Sequence, residues 1–112
     1  MSDTEFLEIL QTQRDKYTDK RVARHFKGWN KTIQYHFTDI DEYYVIELKN
    51  GIPDPIRKEK LDHPTIVYSM DVDTFIKVNK GEIGGFKAYQ SKKLKVKATM
   101  PEMLKLQKLD KL

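Results

Sequence analysis

The side chains that could do chemistry in this sequence are few and scattered. Three histidines, His25, His36 and His63, stand in three unrelated contexts. None has the His-x-Glu, His-Glu-x-x-His or cysteine-partnered spacing that assembles a zinc or iron site. Each reads as a surface or loop side chain: His25 on an exposed helix face, His36 on the polar side of a strand, His63 in the loop ahead of Pro64. Carboxylates cluster twice, as Asp39 with Asp41 and Glu42 and as Asp71 with Asp73, in the way an acid–base pair or a cation site would require. The first cluster falls at a turn and the second at a helix start, where Asp is favoured for local hydrogen bonding alone. Neither has the Gly and Glu positions of a calcium loop. Gly81, Gly84 and Gly85 follow a helix instead of a strand and lack the Gly-Lys-Ser/Thr ending of a phosphate loop. Ser69 and Ser91 lack nucleophile-elbow flanks, and the absence of cysteine removes disulfides, thiolate ligands and a cysteine nucleophile. The sequence therefore predicts a chain without catalytic residues, metal or cofactor, and not an enzyme.

The frame for such a chain is small. Its 112 residues make one domain, 1–112, with one modest core. Hydrophobic residues at 38% and charged residues at 34% are the balance of a soluble globular chain, not of a disordered tail. No stretch approaches the roughly 20 apolar residues that span a bilayer. The start Met1-Ser2-Asp3-Thr4-Glu5 is acidic where a secretory signal is basic and then apolar, so the expected location is cytoplasmic. A formal charge of +4 suits nucleic acid, anionic headgroups or plain solubility. The densest basic segments are Arg57, Lys58 and Lys60, and Lys92, Lys93, Lys95 and Lys97; both are interrupted.

Periodicity supplies the elements. Ser2 with Glu5 fits a capping box, and Phe6, Leu7, Ile9, Leu10, Gln13 and Tyr17 recur at helical spacing, predicting a helix over residues 3–17. A shorter helix is expected over 19–27, with Val22, Ala23 and Phe26 on one face and Gly28 as its stop. From Lys31 the period becomes two: Ile33, Tyr35 and Phe37 alternate with polar residues, a turn follows at 39–42, and 43–49 returns as the second arm of a hairpin. Asn50-Gly51 signals another turn, after which 52–59 reads as an edge strand containing Pro53 and Pro55. A strand over 65–70 makes four in succession, so the sheet is expected to be mostly antiparallel. Asp71 caps a helix carrying Val72, Phe75, Ile76 and Val78 and ended by Gly81; one or two helical turns are possible at 86–90. Leu94, Val96 and Ala98 form a fifth strand, and Pro101 opens a last helix with Met103, Leu104, Leu106, Leu109 and Leu112.

The second half of the chain resembles a known family. His63-Pro64-Thr65-Ile66-Val67-Tyr68-Ser69-Met70, then Phe75-Ile76-Lys77-Val78 and Gly81-Glu82-Ile83, then Ala88-Tyr89-Gln90-Ser91 and Leu94-Lys95-Val96-Lys97, then Leu104-Lys105-Leu106-Gln107-Lys108-Leu109 look like the C-terminal half of sterol-carrier-protein type two domains. In that family a strand ending near Met leads to an Asp-Phe-x-x-Leu helix. A short helix then precedes a Gly-Lys-Leu-Lys-Ile/Val-x-Gly strand, and a leucine-rich helix closes the domain. The likeness reaches back loosely to Asn30-Lys31-Thr32. Two departures stand out: Lys92 where the family shows Gly before Lys-Leu, and Ala98 where Gly follows the strand. Either is expected to reshape the turn or the tunnel mouth.

The resemblance implies an α+β fold, with a five-stranded, mostly antiparallel sheet, helices on one face and an apolar cavity between the layers capped by the last helix. It also implies binding or transport of a long-chain lipid, an acyl-CoA, a sterol-like molecule or a phospholipid, with transient contact to a membrane surface. By position, Met70, Phe75, Phe86, Met103, Leu104 and Leu109 are the expected tunnel-lining residues; for each, ordinary packing is the competing role. Two other readings stay open. One is an interaction domain whose core is filled and which pairs with itself or with an enzyme. The other, ranked last, is a nucleic-acid binder using Lys92, Lys93, Lys95 and Lys97, whose alternation along a strand does not build a groove with stacked aromatics.

Overall fold

The computed structural model describes residues 4–111. Ser2, and with it the first expected capping box, lies outside those residues, as does Leu112. Helix α1 (Glu5–Lys16) starts after Thr4 without a side-chain cap, and α2 (Lys20–Phe26) follows an Asp19 N-cap that accepts from Arg21 N–H at 2.8 Å. The period-two stretch forms β1 (Lys31–Phe37), and β2 (Glu42–Lys49) returns antiparallel with Ile33 opposite Ile46 and Tyr35 opposite Tyr44.

The expected edge strand is broken. β3 (Ile52–Pro53) and β4 (Arg57–Lys58) both pair antiparallel with β2, and the segment between them holds Pro55, which has no N–H to give to a ladder. The chain then leaves that edge, crosses the sheet, and lays β5 (Ile66–Met70) on the far side of β1. On the way Leu61 N–H donates to the Gln34 side chain at 2.8 Å, on the sheet face opposite the helices. β5 runs parallel to β1, with Ile33 opposite Ile66 and Tyr35 opposite Tyr68, and this corrects the run of consecutive antiparallel neighbours expected from sequence. β6 (Lys95–Lys97) pairs antiparallel with β5, giving six strands in place of five, in the order β3-β2-β1-β5-β6 with β4 also on β2. The parallel pair at the centre is the one exception among the pairings of these described strands.

Helices α3 (Val72–Asn79), α4 (Gly85–Gln90) and α5 (Met100–Leu106), the last continued by a 3-10 turn over Gln107–Lys111, complete the layer on the sheet face that carries Ile33, Tyr35 and Phe37. Phe6, Leu10, Val22, Phe26, Phe75 and Leu106 reach down from these helices into one buried cluster with the sheet. Among the described residues no helix is long and apolar enough to cross a membrane.

The acidic clusters hold these elements in place. Asp71 accepts from Thr74 N–H at 2.7 Å at the start of α3, a bond that holds its carboxyl below the ordinary range. Asp39 accepts from Val72 N–H at 3.1 Å, tying the β1–β2 turn to the same helix. His36 stacks on Tyr43 at 4.1 Å and meets Asp41 at 3.1 Å.

Candidate functional site

Between the sheet and helices α3, α4 and α5 lies a cavity of about 640 Å³. Its floor is the sheet: Tyr35 of β1, Tyr68 and Met70 of β5 and Val96 of β6. Parallel pairing sets Tyr35 directly beside Tyr68, so their rings stack at 5.1 Å as one apolar plate. Because strand side chains alternate, Tyr68, Met70 and Val96 all face the helix layer while Lys95 and Lys97 face away.

The walls come from helix phase. After the Asp71 cap, α3 presents Phe75, Val78 and Asn79, which the three- and four-residue spacing sets on one face. α4 presents Phe86 and Tyr89 at the same spacing. α5 closes the space with Met100, Met103 and Leu106, and the 3-10 turn adds Leu109.

α5 is well anchored for a cap. Thr99 and Glu102 form a capping box, with Thr99 N–H donating to Glu102 at 2.8 Å and Glu102 N–H donating to the Thr99 hydroxyl at 3.3 Å. The other Glu102 oxygen takes the Lys31 ammonium at 2.8 Å. Burial works against ionisation of Glu102, but Lys31 and the Thr99 bonds outweigh it and hold the carboxyl below its usual range. Lys31 and Lys105 both lie over the Trp29 ring, at 5.6 and 5.5 Å, fixing α5 to the start of β1 a second time.

Five of the six residues expected from sequence, Met70, Phe75, Phe86, Met103 and Leu109, line this cavity. Leu104 does not: it is 55% exposed, because one position along a helix turns it about 100° from Met103 and two positions separate it from Leu106. Met100 takes the place expected of Leu104. It reads from sequence as the residue before a helix-opening Pro101, but Thr99 is the cap and Met100 is already helical.

Sequence reasoning also passed over Tyr35, Tyr68, Gln13 and Asn79. The two tyrosines become neighbours only through the unforeseen parallel pairing. Gln13 carried a readable signal, being the one polar member of the apolar period of α1. Its amide bonds to the Asn79 amide across the wall, and Asn79 donates in turn to Phe75 C=O at 2.8 Å.

Phe86, Tyr89 and Met100 belong to the wall and are also 73%, 46% and 67% exposed, so the cavity opens to the surface between α4 and the start of α5. Lys87, Lys92 and Lys93 are exposed on the α4–β6 segment next in sequence to these wall residues, within a stretch from Gly84 to Pro101 without a single acid. Lys92, where the resembled family shows Gly, keeps the left-handed backbone that glycine favours, with φ 65°. A second, smaller cleft of about 480 Å³ lies between the α1–α2 corner and the β2–β3 turn, bordered by Arg24 and Lys27; it contains none of the expected residues.

Comparison with known proteins agrees with this fold. The domain of sterol carrier protein domain 2 of Helicoverpa armigera superposes with a TM-score of 0.76 at 14% identity, covering 99% of this chain and 91% of that one. Sterol Carrier Protein 2 Like 2 from Aedes aegypti superposes at 0.69 and 10% identity, covering 93% and 97%. The stereoselective inverting sec-alkylsulfatase Pisa1 from Pseudomonas sp. contains the same fold, with a TM-score of 0.61 and 13% identity over 74% of this chain, but the chain spans 13% of that enzyme's length. No curated protein matches the chain in sequence. The model of the SCP-2 sterol transfer family matches residues 2–111, so the chain belongs to the SCP-2 sterol transfer family, whose members bind or transfer lipids.

Proposed function

We propose that this domain is a cytoplasmic lipid carrier that holds the apolar part of its ligand in the cavity under α5 and does no chemistry on it. The observation that carries the reading is the cavity itself: about 640 Å³, within the roughly 300–1,000 Å³ of small-molecule sites, lined mainly by aromatic, Met, Leu and Val side chains. Burying about ten methylenes there contributes on the order of 8 kcal/mol gross, enough to offset much of the cost of association without any specific polar contact. An interaction domain with a filled core would have no such space.

Lipid has to reach the opening, and its surroundings favour an anionic bilayer as the donor or acceptor surface. Phe86, Tyr89 and Met100 offer apolar groups to the interface. Lys87, Lys92 and Lys93 on the same segment have no partner among the described ion pairs, leaving their charge available to headgroups. A homodimer or an enzyme partner covering the same opening is the competing occupant.

The test is native mass spectrometry of the purified protein with organic extraction, followed by displacement of a fluorescent fatty-acid analogue. Co-purified lipid or saturable displacement is expected. Met103→Glu, on the cavity wall, is expected to abolish it, while its neighbour Leu104→Glu, on the exposed side of α5, keeps it. No bound lipid and no displacement by fatty acids, acyl-CoA or sterols would transfer the case to an interaction domain. Self-association blocked by Phe86→Ser, in place of vesicle binding, would identify a second copy as the occupant of the opening.

A further inference from the structure

Charged residues make up 34% of the chain, yet none of the residues lining the cavity is charged. The polar atoms it does present are neutral: the Gln13 and Asn79 amides and the hydroxyls of Tyr35, Tyr68 and Tyr89, with Gln107 near the cap. Gln13 and Asn79 bond to one another from α1 and α3, the Gln13 amide N–H donating to the Asn79 carbonyl oxygen. An amide has two donors and an acceptor with two lone pairs, so this pair retains capacity both to accept and to donate. The cations next in sequence to the amide pair are engaged elsewhere: Arg14 donates to Pro53 C=O at 2.8 Å and Lys80 pairs with Glu5 at 2.7 Å.

We infer that the cavity selects lipids whose polar end is uncharged, an alcohol, ketone, ester or amide oxygen, and seats that oxygen at the Gln13–Asn79 pair. This rests on the carrier reading above and narrows its ligand class. An ionised carboxylate drawn into this wall would lose its water without gaining a cation, so a fatty acid must leave its head outside the opening and withdraw part of its chain. A neutral oxygen exchanges water for the waiting amides at little net cost.

The experiment compares three ligands of one chain length, hexadecanol, hexadecanamide and hexadecanoate, as competitors of a neutral fluorescent lipid at about pH 8, where the carboxylate is fully ionised. The alcohol and the amide are expected to bind about tenfold tighter than the carboxylate or better. In the double variant Gln13→Leu with Asn79→Leu, their affinity is expected to fall about tenfold while that of hexadecanoate changes less than twofold, so the preference collapses. Equal or tighter binding of hexadecanoate to the unaltered chain overturns the inference and leaves the carrier reading standing. A preference that survives the double variant overturns the assignment to the amide pair. Binding of none of the three overturns the carrier reading, and the inference with it.

Discussion

Over β1 and β2 the helix layer is filled with aromatic rings, whereas over β5 and β6 it leaves about 640 Å³ open. In the filled half Phe6 meets Phe37 edge-to-face at 4.9 Å and Tyr44 at 5.9 Å, and Tyr17, Phe26 and Trp29 follow one another at 5.0 and 4.9 Å. Leu10, Phe26, Ile33 and Phe37 are fully buried. In the hollow half the rings of Tyr35, Tyr68, Phe75, Phe86 and Tyr89 share the lining with Met70, Met100, Met103, Leu94 and Val96, flexible or small, against short helices. Rigid rings at T-shaped geometry contribute beyond their area, while unbranched methionines adapt to irregular contents. The difference indicates a division of labour: one half supplies the stability that lets the other remain unfilled.

That comparison can be broken by truncating each half in turn. Phe37→Ala removes a ring that touches Phe6, Tyr35, Tyr44 and Phe75, and is expected to cost about 3–5 kcal/mol in denaturant unfolding. Met103→Ala, beside existing empty space, is expected to cost about 1 kcal/mol. Equal costs would mean that the two halves do not differ in packing.

Gly51 tests the corner of the filled half. Its φ is 78°, its N–H donates to Trp29 C=O at 2.8 Å, and a Cβ there would collide with the Phe26 carbonyl oxygen. Gly51→Ala is expected to lower stability by about 2 kcal/mol in the same assay without altering ligand preference.

Filling the hollow half should do the reverse. Val96→Phe puts a ring on the cavity floor and is expected to weaken lipid displacement more than tenfold, about 1.4 kcal/mol or more, with stability changed by less than that. The smallest effect is expected at Lys92, whose left-handed backbone suits glycine. Lys92→Gly should raise the unfolding free energy by about 1 kcal/mol while reducing affinity for anionic vesicles, since it removes one lysine of the acid-free α4–β6 segment.

What the sequence displays and what it hides follow the range of the interactions. β1, β2, β5 and α3 are legible because alternation, helical period and the Asp71 cap are all local signals. Pro53 and Pro55 announce an edge, and the structure shows them interrupting it. The parallel placement of β5 is not local: it depends on the chain crossing the sheet after β4, and with it goes the pairing of Tyr35 with Tyr68. Five site residues were reachable through family resemblance and apolar character. Leu104 falls outside the lining because it lies about 100° around α5 from Met103 and two positions from Leu106, and those two face the cavity.

The parallel pairing also has a kinetic side. Thr32 and Thr65, bonded where β1 and β5 begin, are 33 positions apart, whereas the β1–β2 hairpin closes through a short turn. Local hairpins form in microseconds, and distant parallel strands must first lose the entropy of a long loop. The filled half can thus assemble before the strand that floors the cavity arrives. The same order, run backwards, is expected to make β6 and the short helices beside it exchange their amide hydrogens with solvent before the β1–β2 hairpin does. A ligand too bulky for the opening between α4 and α5 would enter on that timescale, through a partial unfolding that leaves the aromatic half intact.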